Sequence, residues 1–123
     1  MSTAQPGRPR PPVIDGEACD GFQTTLEIVG KRWTGAILMA IAMGAHRFGE
    51  VLHTVDGLSD RLLSQRLKEL ESHGLVIRTV VPTTPVQIRY TLSDPGQSLL
   101  ALLQPLARWG ADQEARRAAA QAS

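Results

Sequence analysis

From Phe22 onward, apolar positions recur with the period of a helix, in blocks separated by turn residues. Phe22, Leu26 and Val29 predict a short helix that stops at Gly30. Lys31 to Met43 (KRWTGAILMAIAM) is apolar nearly all round from Trp33, as in a helix covered on most sides. Gly44 ends it in left-handed conformation. Phe48, Val51, Leu52 and Val55 give the next short helix, closed by an Asp56-Gly57 turn. Ser59 stands where an N-cap belongs, with Asp60 in the first turn, and the helix runs to about His73 before Gly74. The period then changes. Val76 to Val81 alternates as a strand, Pro82-Thr83-Thr84-Pro85 interrupts, and Val86 to Leu92 supplies a second strand. Ser93 caps a last helix with Asp94 and Pro95 in its first turn. Its apolar stripe is Leu99, Leu102, Leu103, Leu106 and Trp109, and Pro105 inside it predicts a kink or break.

A short helix, a tight turn and a second helix followed by a hairpin is the order of a winged helix-turn-helix. The fold class expected is mainly α with a small β-hairpin (α+β). The angular layout of the second helix adds to this. With Arg61 at zero and 100 degrees per residue, Leu63, Leu67 and Leu70 cluster at about 200, 240 and 180 degrees. Arg61, Gln65, Lys68 and Ser72 fall within about 40 degrees of zero, with Ser64 close by. Such a helix is either an ordinary surface helix with a solvated face or a DNA reader, and the flanking elements favour the reader. Arg61 suits guanine O6 and N7, Gln65 suits adenine, and Ser64 and Lys68 suit phosphate or mixed contacts. Ser59, at the N-terminus of that helix, belongs to the same candidate surface. Arg66 points about 140 degrees away from the stripe, so it is expected to lie on the domain and pair with a carboxylate. On the hairpin, Arg78, Arg89 and Gln87 are candidates for backbone or minor-groove contact, or else surface residues that never meet DNA.

Composition narrows the setting. At 123 residues one domain is expected, with a Pro-rich tail over 1–14, the winged domain over 15–114, and a frayed end over 115–123. Arg8 and Arg10 in the tail either brush phosphates or are merely solvated. Hydrophobic residues make up 42% and aromatics only 4%, so the core rests on Leu, Ile, Val and Ala, and a domain this small gains from oligomerising. A net charge of +1 neither suggests nor excludes nucleic acid, but it speaks against charge-driven, non-specific DNA packing. One cysteine excludes an intramolecular disulfide framework and points to a reducing compartment. There is no apolar run near the roughly 20 residues of a membrane span, and no secretory pattern at the start. A cytoplasmic location without membrane attachment follows as the expectation.

Several motifs occur together in order. They are Cys19, then Leu26-Glu27-Ile28-Val29-Gly30-Lys31-Arg32-Trp33-Thr34; Arg47-Phe48-Gly49-Glu50; Leu63-Ser64-Gln65-Arg66-Leu67; and Leu70-Glu71-Ser72-His73-Gly74-Leu75-Val76. Pro82, Pro85, Tyr90-Thr91-Leu92, Gly96-Gln97-Ser98-Leu99 and Ala107-Arg108-Trp109 complete the series. From about Cys19 to Trp109 this resembles the HxlR family of bacterial winged-helix regulators. The resemblance implies a homodimeric DNA-binding transcriptional regulator, dimerised largely through its terminal helices, in the cytosol and without enzymatic activity. Asp20-Gly21 departs from the Cys-Pro usual at the family's start, and Pro95 and Pro105 are unusual in its last helix.

Cys19 matches the cysteine that some family members use as a redox or electrophile sensor. Sensing needs an accessible thiolate, and Glu17 and Asp20 nearby oppose its formation. The other reading is an inert thiol near the dimer interface. His46, His53 and His73 lack metal-ligand spacing and read as surface or partly packed residues. No catalytic residue, metal site or cofactor is expected. The function expected is a dimeric sequence-specific transcriptional regulator, a repressor by preference, on a near-palindromic double-stranded operator. An oxidant acting at Cys19 or a small molecule would be its effector. The alternative is a winged-helix protein-interaction module without sequence-specific DNA binding.

Overall fold

The computed structural model describes residues 16–122, so the expected tail with Arg8 and Arg10 lies outside the described residues. The chain divides into two compact units, residues 1–31 and 32–123. In the first, α1 (Gly16–Val29) is closed by the Gly30 N–H donating to the Leu26 carbonyl at 2.8 Å. The hydroxyls of Thr24 and Thr25 donate back to the carbonyls of Asp20 and Gly21, satisfying side chains that are otherwise poor helix formers. Phe22 and Leu26, one turn apart, are both exposed.

The second unit holds the remaining elements: α2 (Thr34–Ala42), α3 (Phe48–Thr54), α4 (Asp60–Ser72), β1 (Val76–Val81), β2 (Gln87–Leu92) and α5 (Asp94–Ala122). α2 is the middle of the core. Ile37, Leu38, Ala40 and Ile41 are buried on it, as expected of a helix apolar nearly all round. It starts at Thr34 rather than Lys31, because Trp33 takes a left-handed backbone (φ 78°) and acts as the N-cap, its carbonyl accepting from the Ile37 N–H at 2.9 Å. The indole explains this departure. Its edge lies against Gly57, where an added Cβ would stand 3.3 Å from Trp33 Cη2. A tertiary contact thus overrides the local pattern.

α3 packs on α2, and α4 packs on α3 and β1; Val51 of α3, Val55 and Leu58 of the turn, and Leu63, Leu67 and Leu70 of α4 are all buried. β1 and β2 form a two-stranded antiparallel sheet in the register Val76↔Leu92, Arg78↔Tyr90, Thr79↔Arg89 and Val81↔Gln87. α5 begins on the Ser93 cap, whose Oγ accepts from the Gly96 N–H at 3.1 Å. It then runs unbroken through Pro105, contrary to a break there. Proline removes one hydrogen bond, the one to the Ala101 carbonyl, and both residues are exposed, so water can take the donor's place. The helix continues past Ala115, where the sequence predicts fraying. Four of the residues 118–122 are alanine, the best helix former, and Arg117 pairs with Glu114 at 2.7 Å.

Candidate nucleic-acid interface

The geometry of α4 follows from its two ends and its buried face. At the front, Gly57 turns the chain with φ +84°, and the Ser59 Oγ accepts from the Leu62 N–H at 3.2 Å. At the back, Gly74 takes φ +72° after the His73 C-cap. Between them Leu63, Leu67 and Leu70 are buried, which sets the rotation of the helix about its axis. With that rotation, Arg61, Gln65 and Lys68 are exposed on the opposite side, and Ser64 is half-buried. The structure therefore brings the expected stripe together on one outward face. Arg61 lies in the first turn, the end that usually enters a major groove.

Arg66 behaves as its angle predicts. Its Nε donates to the Arg32 carbonyl at 3.1 Å, and its Nη1 donates to both Glu69 oxygens at 3.2 Å. Its side chain is 13% exposed, so it ties α4 to the residue before Trp33 rather than facing outward. Glu69 also accepts from the Gln65 Nε2 at 3.4 Å. The Gln65 amide is thus turned with its nitrogen toward Glu69 and its oxygen left as the outward acceptor. Bidentate pairing with adenine needs both groups, so it requires that long hydrogen bond to open.

On the hairpin, residues opposite one another share a face and neighbours alternate. Arg78 shares its face with Tyr90 and with the buried Val76. Arg89 and Gln87 lie together on the other face. The two wing arginines are therefore not equivalent, a distinction only the register makes. Gln87 is held in place: its Oε1 accepts from Arg47 Nη2 at 3.1 Å. Arg47 itself precedes α3, where its backbone N–H donates to the Glu50 carboxylate at 2.9 Å.

Two residues given no site role by the sequence reading thus belong here. Arg47 joins the start of α3 to the wing. His46 ties down the outer edge of β2, where its carbonyl accepts from the Tyr90 N–H at 2.7 Å and its Nδ1 lies 3.1 Å from the Tyr90 carbonyl. A single residue so does the work of a third strand. Arg47 sits in a motif visible in the sequence, but nothing local marks it as a partner of Gln87, forty residues away.

A turn, a polar-faced helix on a leucine seam and an adjoining wing are shared by many DNA-binding proteins, and the relatives decide among them. The family model of HxlR-like helix-turn-helix proteins matches residues 28–118, well over half the chain. The chain belongs to the HxlR family. It is 41% identical over 96 residues to the HTH-type transcriptional regulator YvaP of Bacillus subtilis, covering 78% of this chain and 89% of YvaP. The crystal structure of diamide-treated YodB from B. subtilis is similar at TM-score 0.69 and 40% identity, over 77% of this chain and 93% of YodB. The redox regulator HypR in its oxidized form is similar at TM-score 0.69 and 28% identity, over 75% of this chain and 95% of HypR. This HxlR-family chain is a helix-turn-helix transcriptional regulator with a winged-helix fold. Cys19 is exposed on α1. No helix among the described residues is long and apolar enough to cross a membrane.

Proposed function

We propose that this regulator acts as a cytoplasmic homodimer that places α4 of each copy in a major groove of a near-palindromic operator and represses transcription there. The observation that carries this is the outward stripe Arg61, Gln65 and Lys68, held over the buried Leu63, Leu67 and Leu70 next to the wing. Ser59 and Ser64 flank the stripe toward the DNA backbone, and Arg78, Gln87 and Arg89 supply wing contacts, with Arg89 and Gln87 on one face and Arg78 on the other. Dimerisation is supported by the stripe on α5, where Leu102, Leu106 and Trp109 are 71%, 57% and 62% exposed in the single chain. Large apolar side chains at helical spacing mark an interaction face. Half-sites are expected one helical turn apart or a multiple of it.

The test is selection of binding sites from random DNA, followed by anisotropy titrations at several salt concentrations. A recovered palindrome and a steep fall of affinity with salt are expected. A flat salt response, or no enrichment of any sequence, would overturn this reading and favour the protein-interaction module. Modulation at Cys19 is a second reading, favoured by its exposure and by relatives whose structures were determined diamide-treated or oxidized. Diamide is then expected to change DNA binding of the wild type and leave Cys19→Ser unaffected. An equal response in both would exclude Cys19 as the sensor.

A further inference from the structure

We infer that a cavity of about 500 Å³ on the winged domain binds a small neutral molecule carrying a hydroxyl group, and that its occupancy acts on the wing. The cavity lies between the end of α2, the base of β2 and the first turns of α5. Its apolar wall is Ile41, Leu92, Leu100 and Ala101, and its polar groups are His46, Thr91, Gln97 and Gln104. The volume falls within the roughly 300–1,000 Å³ of small-molecule sites, and polar and apolar groups line it in comparable share.

The polar groups select the ligand. No lysine, arginine or carboxylate lines the cavity, so a charged ligand finds no counter-charge there. The Thr91 hydroxyl and the two amides each offer both a donor and an acceptor. His46 is more restricted. Its Nδ1 lies 3.1 Å from the Tyr90 carbonyl, which can only accept; that contact assigns the tautomer with its proton on Nδ1, in which Nε2 is an acceptor. A hydroxyl, which donates and accepts at once, satisfies this set, and an apolar ring attached to it fills the Ile41, Leu92 and Leu100 side. A neutral phenol or alcohol is the class that fits.

The same histidine connects the cavity to the wing. His46 binds both the N–H and the C=O of Tyr90 on β2. The next residue, Arg47, holds Gln87 near the wing tip. Thr91 and Leu92 of the cavity wall also belong to β2. A ligand bonded to His46 Nε2 therefore touches the residue that fixes the wing, and it shifts DNA binding to the extent that it favours one wing position. This last step rests on the reading of α4 and the wing as the DNA-contacting surface; binding in the cavity does not.

The test separates the two. Calorimetric titration of the full chain without DNA, using phenol and 1-naphthol, is expected to show saturable binding of one molecule per chain, tighter for naphthol. 1-Naphthoate, the charged counterpart, should bind at least about tenfold more weakly. Ala101→Phe, which fills the cavity from its rim, and Gln97→Met, which removes one amide from an exposed position, should each weaken naphthol binding at least about tenfold. Melting curves confirm that both variants fold. Absence of saturable phenol binding, or equal binding by wild type and both variants, overturns the site. So does a cavity closed by a second copy, seen as loss of dimer in Ala101→Phe without any naphthol binding. In a second arm, saturating naphthol should change the affinity for the DNA upstream of the chain's own gene at least about fivefold in wild type and not in Ala101→Phe. Naphthol binding without that change overturns the action on the wing. Failure of the ligand-free chain to bind any DNA overturns the regulator reading and the action on the wing together, while the calorimetry still decides the site.

Discussion

Replacing Gly96 by alanine is expected to be the most damaging single-methyl addition among the described glycines. Gly96 lies in the first turn of α5 with its Cα facing the end of α4 and the start of β1. A Cβ there would stand 2.1 Å from the Leu75 carbonyl oxygen and 3.1 Å from its carbon. The closest comfortable approach of carbon to a carbonyl oxygen is about 3.3 Å, so something must move by roughly 1 Å. The obstacle is backbone, which cannot rotate aside as a side chain can. It is also tied in, since the Leu75 carbonyl accepts from the Ser93 N–H at 3.1 Å and the Ser93 Oγ donates to the Gly74 carbonyl at 2.5 Å. Overpacking alone costs about 1–3 kcal/mol. Losing or stretching two hydrogen bonds adds about 0.5–1.5 kcal/mol each. A total near 3 kcal/mol or more lowers Tm by over about 12 °C in a domain of this size. Thermal melts followed by circular dichroism, at one fixed protein concentration because the Tm of the proposed dimer would depend on it, provide the measurement. Gly49→Ala is the control: it is exposed on α3, meets nothing within 4 Å, and should stabilise by about 0.5–1 kcal/mol. A Gly96→Ala chain melting within about 2 °C of wild type would show that the approach of α5 to Leu75 is not a constraint.

Four further outcomes are expected. Arg61→Ala should weaken specific DNA binding by about 1–3 kcal/mol, and equal loss on specific and scrambled DNA would assign Arg61 to phosphate instead of a base. Ser59→Ala removes the cap on the Leu62 N–H and should cost about 1 kcal/mol of stability, read as a shift in the urea midpoint at constant m. Arg89→Ala and Arg78→Ala should differ in the salt dependence of DNA binding, because they lie on opposite faces of the wing; the one that meets phosphate lowers the slope by about 1, and equal slopes for both refute the division. Arg66→Ala should lower stability while sparing the salt slope, since its guanidinium is spent on Arg32 and Glu69; a lower slope at unchanged stability would place it on DNA.

The elements that were legible in the sequence are those built from local patterns. The leucine seam, the Ser59 and Ser93 caps and the turns at Gly57 and Gly74 each need only a few neighbouring residues, and each appears where its pattern puts it. The inward role of Arg66 was legible too, because an angle on a helix wheel is local information. What could not be read depends on contacts across the chain. Trp33 enters a left-handed conformation under Gly57, shortening α2 at its start. Pro105 sits in an exposed stretch that tolerates it, so of the kink or break expected there the break does not occur. The roles of His46 and Arg47 exist only through Tyr90 and Gln87 on a strand more than forty residues on, or exactly that far away in the case of Arg47. The division of the wing arginines needed the strand register, which alternation alone cannot supply.

α4 and the wing are held by different kinds of force, and the magnitudes say which of the two moves more readily. α4 rests on three leucines buried to 2% exposure or less, each stabilised by about 1.5–3 kcal/mol, with the Arg66 tie added. Displacing it means exposing that seam, which approaches the whole stability of a small domain. The outer part of the wing has no comparable anchor. Ile77, Val80, Val86 and Ile88 are all exposed; the base of the wing packs on the domain, while the two His46–Tyr90 bonds and the Arg47–Gln87 bond add polar ties along β2. Each of these is worth about 0.5–1.5 kcal/mol net. A ligand moves the wing only by the difference in its affinity for two wing positions, and the roughly 1–3 kcal/mol typical of coupling between sites is of the size of those bonds. On the proposed reading of α4 and the wing as the DNA-contacting surface, control through the fold falls on the wing, and α4 is the fixed element against which it is repositioned.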